Sequence, residues 1–143
     1  MRVHGTCVEI EGVACLLRGP PGSGKSDLAL RLIDGGAGLV ADDQVELALD
    51  GGHLIATAPS TLAGQIEVRG HGIVRLAAIA RSYLGLVVDL VAPDEVERMP
   101  EAECCELLGI GIPRIKLAPF EASAAAKVRL AIATGPKLII TDP

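Results

Sequence analysis

An α/β fold is what the sequence predicts, and three observations predict it. The continuously apolar run Val13–Leu17 passes straight into a glycine-rich loop, Gly19–Ser26, and a helical pattern follows at once. The core has one Phe, one Tyr and no Trp, so aliphatic side chains must fill it, which favours helix-on-sheet packing. A hairpin pattern, Val45–Thr57, lies further along the same 143-residue chain.

The elements follow in order. Residues 6–17 read as two strands with a turn at Glu11-Gly12, the second strand being buried and central. Ser26–Ile33 places Leu28, Ala29, Leu30 and Leu32 at helical spacing and stops at Asp34-Gly35-Gly36, where glycine suits a C-cap. Leu39-Val40-Ala41 is a short strand ending at Asp42-Asp43. Val45–Leu49 and His53–Thr57 pair across Asp50-Gly51-Gly52. Thr61–Gln65 is loop or a short helix, and Ile66–Val74 is strand or loop. Leu84–Val91 is a strong strand, and Asp94–Met99 is short and charged. Glu103–Leu108 reads as a helical turn, Ile112–Leu117 as a strand, and the Ala-rich Ala122–Ala133 as a helix. Gly135-Pro136 then precedes an apolar Leu138-Ile139-Ile140. No repeat or linker divides the chain, so residues 1–143 are expected to form one domain.

Composition sets limits on function. Thirteen basic and 18 acidic residues give a net charge of −5, against the basic face that a nucleic-acid binder needs. No apolar run reaches the ~18 residues of a membrane span, and Met1–Gly5 lacks the layout of a signal peptide, so no membrane association and a cytoplasmic location are expected. Cys7, Cys15, Cys104 and Cys105 show no C-x-x-C spacing, which points to reduced thiols and not to a zinc site.

The loop Gly19-Pro20-Pro21-Gly22-Ser23-Gly24-Lys25-Ser26 meets the pattern G-x-x-x-x-G-K-[ST] in the strand–loop–helix context the pattern requires. Gly22 and Gly24 permit backbone angles that a side chain would forbid, so successive N–H groups can turn toward phosphate oxygens. The helix behind adds the positive end of its dipole. Lys25 reaches the β- and γ-phosphates of a nucleoside triphosphate, and the Ser26 hydroxyl ligates magnesium (Mg2+).

Asp42-Asp43 ends the strand after the loop helix, and strand C-termini collect at the ligand edge of a parallel sheet. One carboxylate can hold magnesium, and the other can accept a proton from an attacking hydroxyl. Aspartates also end strands as ordinary solvated turns, so the pair draws its meaning from the loop beside it. Glu67-Val68-Arg69-Gly70-His71-Gly72 adds an acid, a base and an imidazole between glycines, which alone is a polar loop.

Taken together, His4-Gly5, the loop Gly19–Ser26, Leu39–Asp43 and Ile66–Ile73, in this order and spacing, resemble the catalytic domain of the HPr kinase/phosphorylase family. The likeness covers residues 3 to about 100 and weakens beyond Pro113. It implies a phosphate-loop core like that of phosphoenolpyruvate carboxykinase, with a mixed sheet that the hairpin Val45–Thr57 fits. The implied activity is ATP- and magnesium-dependent phosphorylation of a serine on the phosphocarrier protein HPr. The implied reverse reaction uses inorganic phosphate and yields pyrophosphate. By position, His4, Lys25, Asp43 and Arg98 match the family's catalytic residues, with Asp43 taking the proton from the target serine. Asp42 matches its acidic neighbour, Ser26 and Glu67 match the magnesium ligands, and Ile66–Arg75 matches the segment tied to both activities. A homo-oligomer, hexameric in the family, is a further implication.

Two departures stand out. The loop lies near the start of the sequence, so the family's N-terminal domain is expected to be absent, as in a short proteobacterial form tied to nitrogen-type phosphotransfer regulation. Ala118-Pro119-Phe120-Glu121-Ala122 stands where the family has a basic segment associated with dephosphorylation, which leaves the reverse reaction open. Two other functions compete. A small-molecule kinase or NTPase would use the same loop, but no Arg cluster of the expected kind follows Leu76. A regulatory module would sense ATP, phosphate or a phosphotransfer protein without turnover.

Overall fold

The computed structural model describes residues 1–135. Its strands are β1 (Arg2–His4), β2 (Thr6–Ile10), β3 (Val13–Arg18), β4 (Gly38–Ala41), β5 (Gln44–Asp50), β6 (His53–Thr57), β7 (Gln65–Val68), β8 (Gly72–Arg75), β9 (Ser82–Leu90), β10 (Glu103–Leu107) and β11 (Ile110–Leu117). The helices are α1 (Lys25–Asp34) and α2 (Ala124–Thr134), with a 3-10 turn at Pro93–Glu95.

Strand β9 organises a nine-stranded mixed sheet. One edge of β9 pairs in parallel with β3, which continues antiparallel through β2 to β4. Its other edge is shared: residues 82–83 pair antiparallel with β6, which leads to β5 and β1, and residues 87–90 pair in parallel with β11, which leads to β10. The expected mixed α/β sheet is therefore present. Its parallel part, β3-β9-β11, places three strand C-termini side by side.

The two faces of this sheet are covered differently. Leu86, Val88 and Leu90 pack with Cys15 and Leu17 beneath Leu28, Ala29 and Leu32 of α1 and Ala124, Ala125 and Val128 of α2. Helix α1 buries those residues because they fall at i, i+1 and i+4, while Leu30 on its other face is exposed. Strand side chains alone fill the second core: Leu84 and Val87 meet Leu16, Val40, Val45, Leu47, Leu54 and Leu107. Cys7 and Cys15 are buried free thiols. Burial pushes the Cys7 thiol up to about 12 and the Cys15 thiol well above its usual value, so neither is a reactive thiolate.

Arginines tie the helices together. Arg129 donates from Nη2 to the carbonyls of Arg31 (3.3 Å) and Leu32 (3.2 Å), adding to the bonds that these carbonyls already accept from Gly35 N–H at the end of α1. Gly35 gives this clamp room, because a Cβ there would lie 1.9 Å from Arg129 Nη2 and the guanidinium would have to shift.

One expectation fails. Glu103–Leu108 is not a helical turn: Glu103–Leu107 is strand β10, joined to β11 by the two-residue turn Leu108-Gly109, with φ of 50° and 80°. Left-handed angles at both central residues match the twist of antiparallel strands and lock the hairpin. The predicted Glu11-Gly12 turn has the same geometry, φ 49° and 82°. Ile66–Val74 resolves into the hairpin β7-β8, a separate two-stranded sheet. The apolar Leu138-Ile139-Ile140 lies outside the described residues. Among the described residues no helix is long and apolar enough to cross a membrane.

Candidate active site

The loop Gly19–Gly24 leaves the C-terminal end of β3 and turns into α1. Gly22 (φ 81°) and Gly24 (φ 98°) both take left-handed angles, which only glycine adopts without strain. A bond from Ser23 N–H to Pro20 O (3.0 Å) closes the turn, with Pro21 exposed at its tip. Gly19 gives room, since a Cβ there would lie 2.4 Å from Ser23 Oγ. No side chain caps the N-terminus of α1, so its first-turn N–H groups are left for an anion. Lys25 Nζ lies back over the loop, donating to Gly19 O (2.6 Å) and Pro20 O (3.1 Å).

An ion-pair group fixes the strand from which the loop departs. Arg18, the residue before Gly19, donates to both oxygens of Asp89, from Nε at 2.7 Å and from Nη2 at 2.9 Å. Arg114 Nε donates to the same carboxylate, and its Nη1 donates to Glu103 at 2.6 Å. Burial alone would raise the Asp89 pKa, but bonds from Arg18 and Arg114 and their charges outweigh it and hold the carboxyl below its ordinary value. Because the folded-state pKa is depressed, the stabilisation is present above the unfolded value of about 3.9 and is lost as pH falls toward the folded value. Asp89→Asn is therefore expected to cost on the order of 2 kcal/mol at neutral pH. The gap to wild type should close in urea melts taken well below about pH 4. A gap that persists in acid would show packing, not charge, to be at stake.

Asp42 is the junction of the site. It is only 8% exposed, and its carboxylate accepts three hydrogen bonds. Oδ1 accepts from Thr6 Oγ1 (2.8 Å) and Ser26 Oγ (2.9 Å), while Oδ2 accepts from the backbone N–H of Glu67 (3.0 Å). One side chain thus joins the start of β2, the first turn of α1 and β7. Asp43 follows in a left-handed conformation (φ 72°) with its carboxylate exposed, and its carbonyl accepts from Gly5 N–H at 3.1 Å. His4 is exposed in register with Gln44, so the pairing of β1 with β5 sets His4 beside Asp43.

Lys25, Ser26 and Glu67 line one cleft of about 320 Å³, together with Gly22, Gly24 and Phe120. Arg98 does not line it. That residue is exposed between the 3-10 turn and β10, with no hydrogen bond or ion pair among the described residues.

The donor set around Ser26 and Glu67 fits magnesium. Magnesium takes one or two protein carboxylates, keeps several waters and binds phosphate oxygens, so it needs no dense cluster. None of three or more His, Cys, Asp or Glu occurs among the described residues. Ser26 gives its hydroxyl proton to Asp42, which leaves oxygen lone pairs for a cation.

Three residues escape the sequence reading: Thr6, Asp89 and Phe120. Asp89 is the one charged residue inside the apolar run Leu84–Val91 and could have been singled out on that ground. Thr6 carries no local signal, since its partner lies 36 residues away.

The chain's residues 1–133 match the family model of the HPr serine kinase C-terminal domain. It is 38% identical over 127 residues to an HPr kinase/phosphorylase of Bordetella pertussis, covering 80% of this chain and 41% of that protein. Against an HPr kinase/phosphorylase of Geobacillus thermodenitrificans the identity is 36% over 127 residues, with the same coverage of 80% and 41%. The chain thus spans about two fifths of the length of these curated relatives. Its fold is similar to the solved structure of the HPr(Ser) kinase/phosphatase from Coxiella burnetii, with a TM-score of 0.84 and 26% identity, over 94% of this chain and 95% of that one.

Proposed function

The chain belongs to the HPr serine kinase C-terminal domain family, and from that membership we propose that it transfers the γ-phosphoryl group of ATP to a serine of an HPr-type phosphocarrier protein. The observation that carries the reading is the cleft in which Lys25, Ser26 and Glu67 meet, with Asp42 bonded to both Ser26 and Glu67.

In this reading Gly19–Ser26 is a phosphate-binding loop, and its N–H groups with the first turn of α1 hold the triphosphate. Lys25 Nζ exchanges its carbonyl partners for β- and γ-phosphate oxygens and stabilises the charge that develops there. Neutralisation of the phosphate oxygens is what magnesium supplies when held by Ser26 Oγ and the Glu67 carboxylate. Asp43 accepts the proton of the target serine as that oxygen bonds to phosphorus. Its exposed carboxylate suits an acceptor arriving from outside on a partner protein. His4, set next to the strand end at Asp43 by the pairing of β1 with β5, is assigned to the same acceptor side. Arg98 enters this scheme by its sequence position alone. The reading carries with it a phosphoenolpyruvate carboxykinase-like core, a cytoplasmic location and a homo-oligomeric state. Phosphorolysis of phospho-HPr to pyrophosphate is the weaker half of it, because Ala118–Ala122 lacks a cation.

Incubating the chain with magnesium, γ-labelled ATP and HPr should place the label on a serine of HPr. The absence of label under these conditions would overturn the reading. Turnover on a metabolite instead of HPr would favour a small-molecule kinase, and ATP binding without turnover a sensing module.

A further inference from the structure

The C-terminal ends of β3, β9 and β11 lie side by side, and each runs into a loop: Gly19–Gly24, Val91–Pro93 and Ala118–Glu121. Between these loops is a second pocket of about 630 Å³. Pro20 and Ser23 of the phosphate loop form one wall, Val91 and Pro93 another, and Pro119 and Phe120 a third. Its lining is mainly apolar, unlike that of the phosphate cleft.

Phe120 belongs to both cavities and is the partition between them. It is the chain's only phenylalanine, and it is 71% exposed. The ring lies directly over the loop: a Cβ on Gly24 would come within 2.9 Å of its Cζ and 3.0 Å of its Cε1. The backbone on either side of the ring is anchored. Arg31 of α1 donates through Nη2 to Pro119 O and through Nη1 to Glu121 O (3.4 Å). An exposed aromatic ring on a braced backbone, set against glycine, is arranged to receive a flat apolar surface at little further ordering cost.

We propose that this pocket takes the base of the nucleoside triphosphate and that the base stacks on Phe120. The inference rests on the phosphate-loop reading and deepens it. Phe120 lines the same cleft as Gly22–Ser26 and stands over Gly24, so a nucleoside that leaves bound phosphates on that side meets the ring. In open α/β sheets ligands occupy the crevice outside the carboxyl ends of parallel strands, and this pocket is the next one along that edge. Stacking uses the π-face that all bases share, so the site grips a base without reading its edges closely. Arg31 serves as a positioning residue, since it holds the backbone that presents Phe120.

The test separates the base from the phosphates by comparing magnesium-ATP with magnesium-tripolyphosphate. Wild type should bind ATP more tightly than tripolyphosphate. Phe120→Ala should weaken ATP about tenfold, within a range of ~5- to 100-fold, and weaken tripolyphosphate by much less. Phe120→Tyr should restore ATP affinity, which a general loss of folding would not allow. Phe120→Trp puts a single tryptophan in a chain that has none. Its fluorescence should change more with ATP than with tripolyphosphate. Equal losses for both ligands in Phe120→Ala, or no loss for ATP, would overturn the base site while leaving the phosphate loop standing. Failure of wild type to bind either ligand would instead remove the phosphate-loop reading, and the base site with it.

Discussion

Asp43→Asn is expected to abolish phosphoryl transfer to HPr while ATP still binds. The substitution removes a carboxylate's ability to accept a proton and changes almost nothing else. Asp43 is exposed, and its side chain has no hydrogen bond or ion pair among the described residues. Its backbone sits at φ 72°, and asparagine is one of the few residues that tolerates left-handed angles as aspartate does. The bond from Gly5 N–H to Asp43 O uses only backbone and survives the change. A positioned general base contributes roughly 10²- to 10⁴-fold to rate, so transfer of label should fall by that amount. ATP affinity and the urea midpoint should stay at wild-type values. Alanine would be a poorer probe, because it adds backbone strain to the loss of the base. If Asp43→Asn also loses ATP binding, the residue supports the nucleotide site and is not the base.

The parts of the site that could be read in the sequence are those whose meaning is local. The loop Gly19–Ser26 has fixed residue types at fixed spacing, and the strand before it and the helix after it are contiguous. The turn at Glu11-Gly12 was legible because it lies between two strongly apolar strands. The same turn at Leu108-Gly109 was not, because β10 begins Glu103-Cys104-Cys105 and shows little apolar contrast. Side-chain alternation is present there, with Cys105 and Leu107 turned inward, but it spans too few residues to stand against a helical reading. The role of β9 was not legible at all. Its pairing with β3, β6 and β11 depends on contacts between distant parts of the chain, and nothing in Ser82–Leu90 names those partners.

The same distinction divides the two aspartates. Asp42 and Asp43 are adjacent in sequence, and composition gives no reason to separate them. The structure puts one inside and the other outside, because a left-handed residue at 43 turns the chain where β4 ends. Asp42 then points inward at donors from Thr6, Ser26 and Glu67, and Asp43 is left toward solvent. A single strand end thus supplies a buried tie to Thr6, Ser26 and Glu67 and an exposed carboxylate, which the proposed mechanism uses on the phosphate and acceptor sides respectively.

Asp42→Asn should therefore fail in a different way from Asp43→Asn. The carboxylate accepts three bonds, and an amide offers one acceptor oxygen and one donor group in its place. The backbone N–H of Glu67 cannot reverse its role, so it claims the remaining oxygen. The amide NH₂ must then face the hydroxyls of Thr6 and Ser26. Each hydroxyl can respond by accepting, but Ser26 then spends a lone pair on the amide and turns its proton outward, toward the position a cation would take. Magnesium affinity should drop, and loss of an outer partner of this kind typically costs ~10- to 100-fold. Stability should fall as well, by about 1–3 kcal/mol, since a buried charge-assisted network is replaced by an imperfect neutral one. Asp42→Ala should be worse, because three donors lose their common acceptor at once. Titrating magnesium at fixed ATP, with a urea melt of each variant, reads both effects. A variant that melts early but keeps the wild-type magnesium dependence would make Asp42 a structural tie alone. A shifted magnesium dependence in a stably folded Asp42→Asn would mean that Asp42 sets the proton on Ser26 and so keeps that oxygen available to the metal.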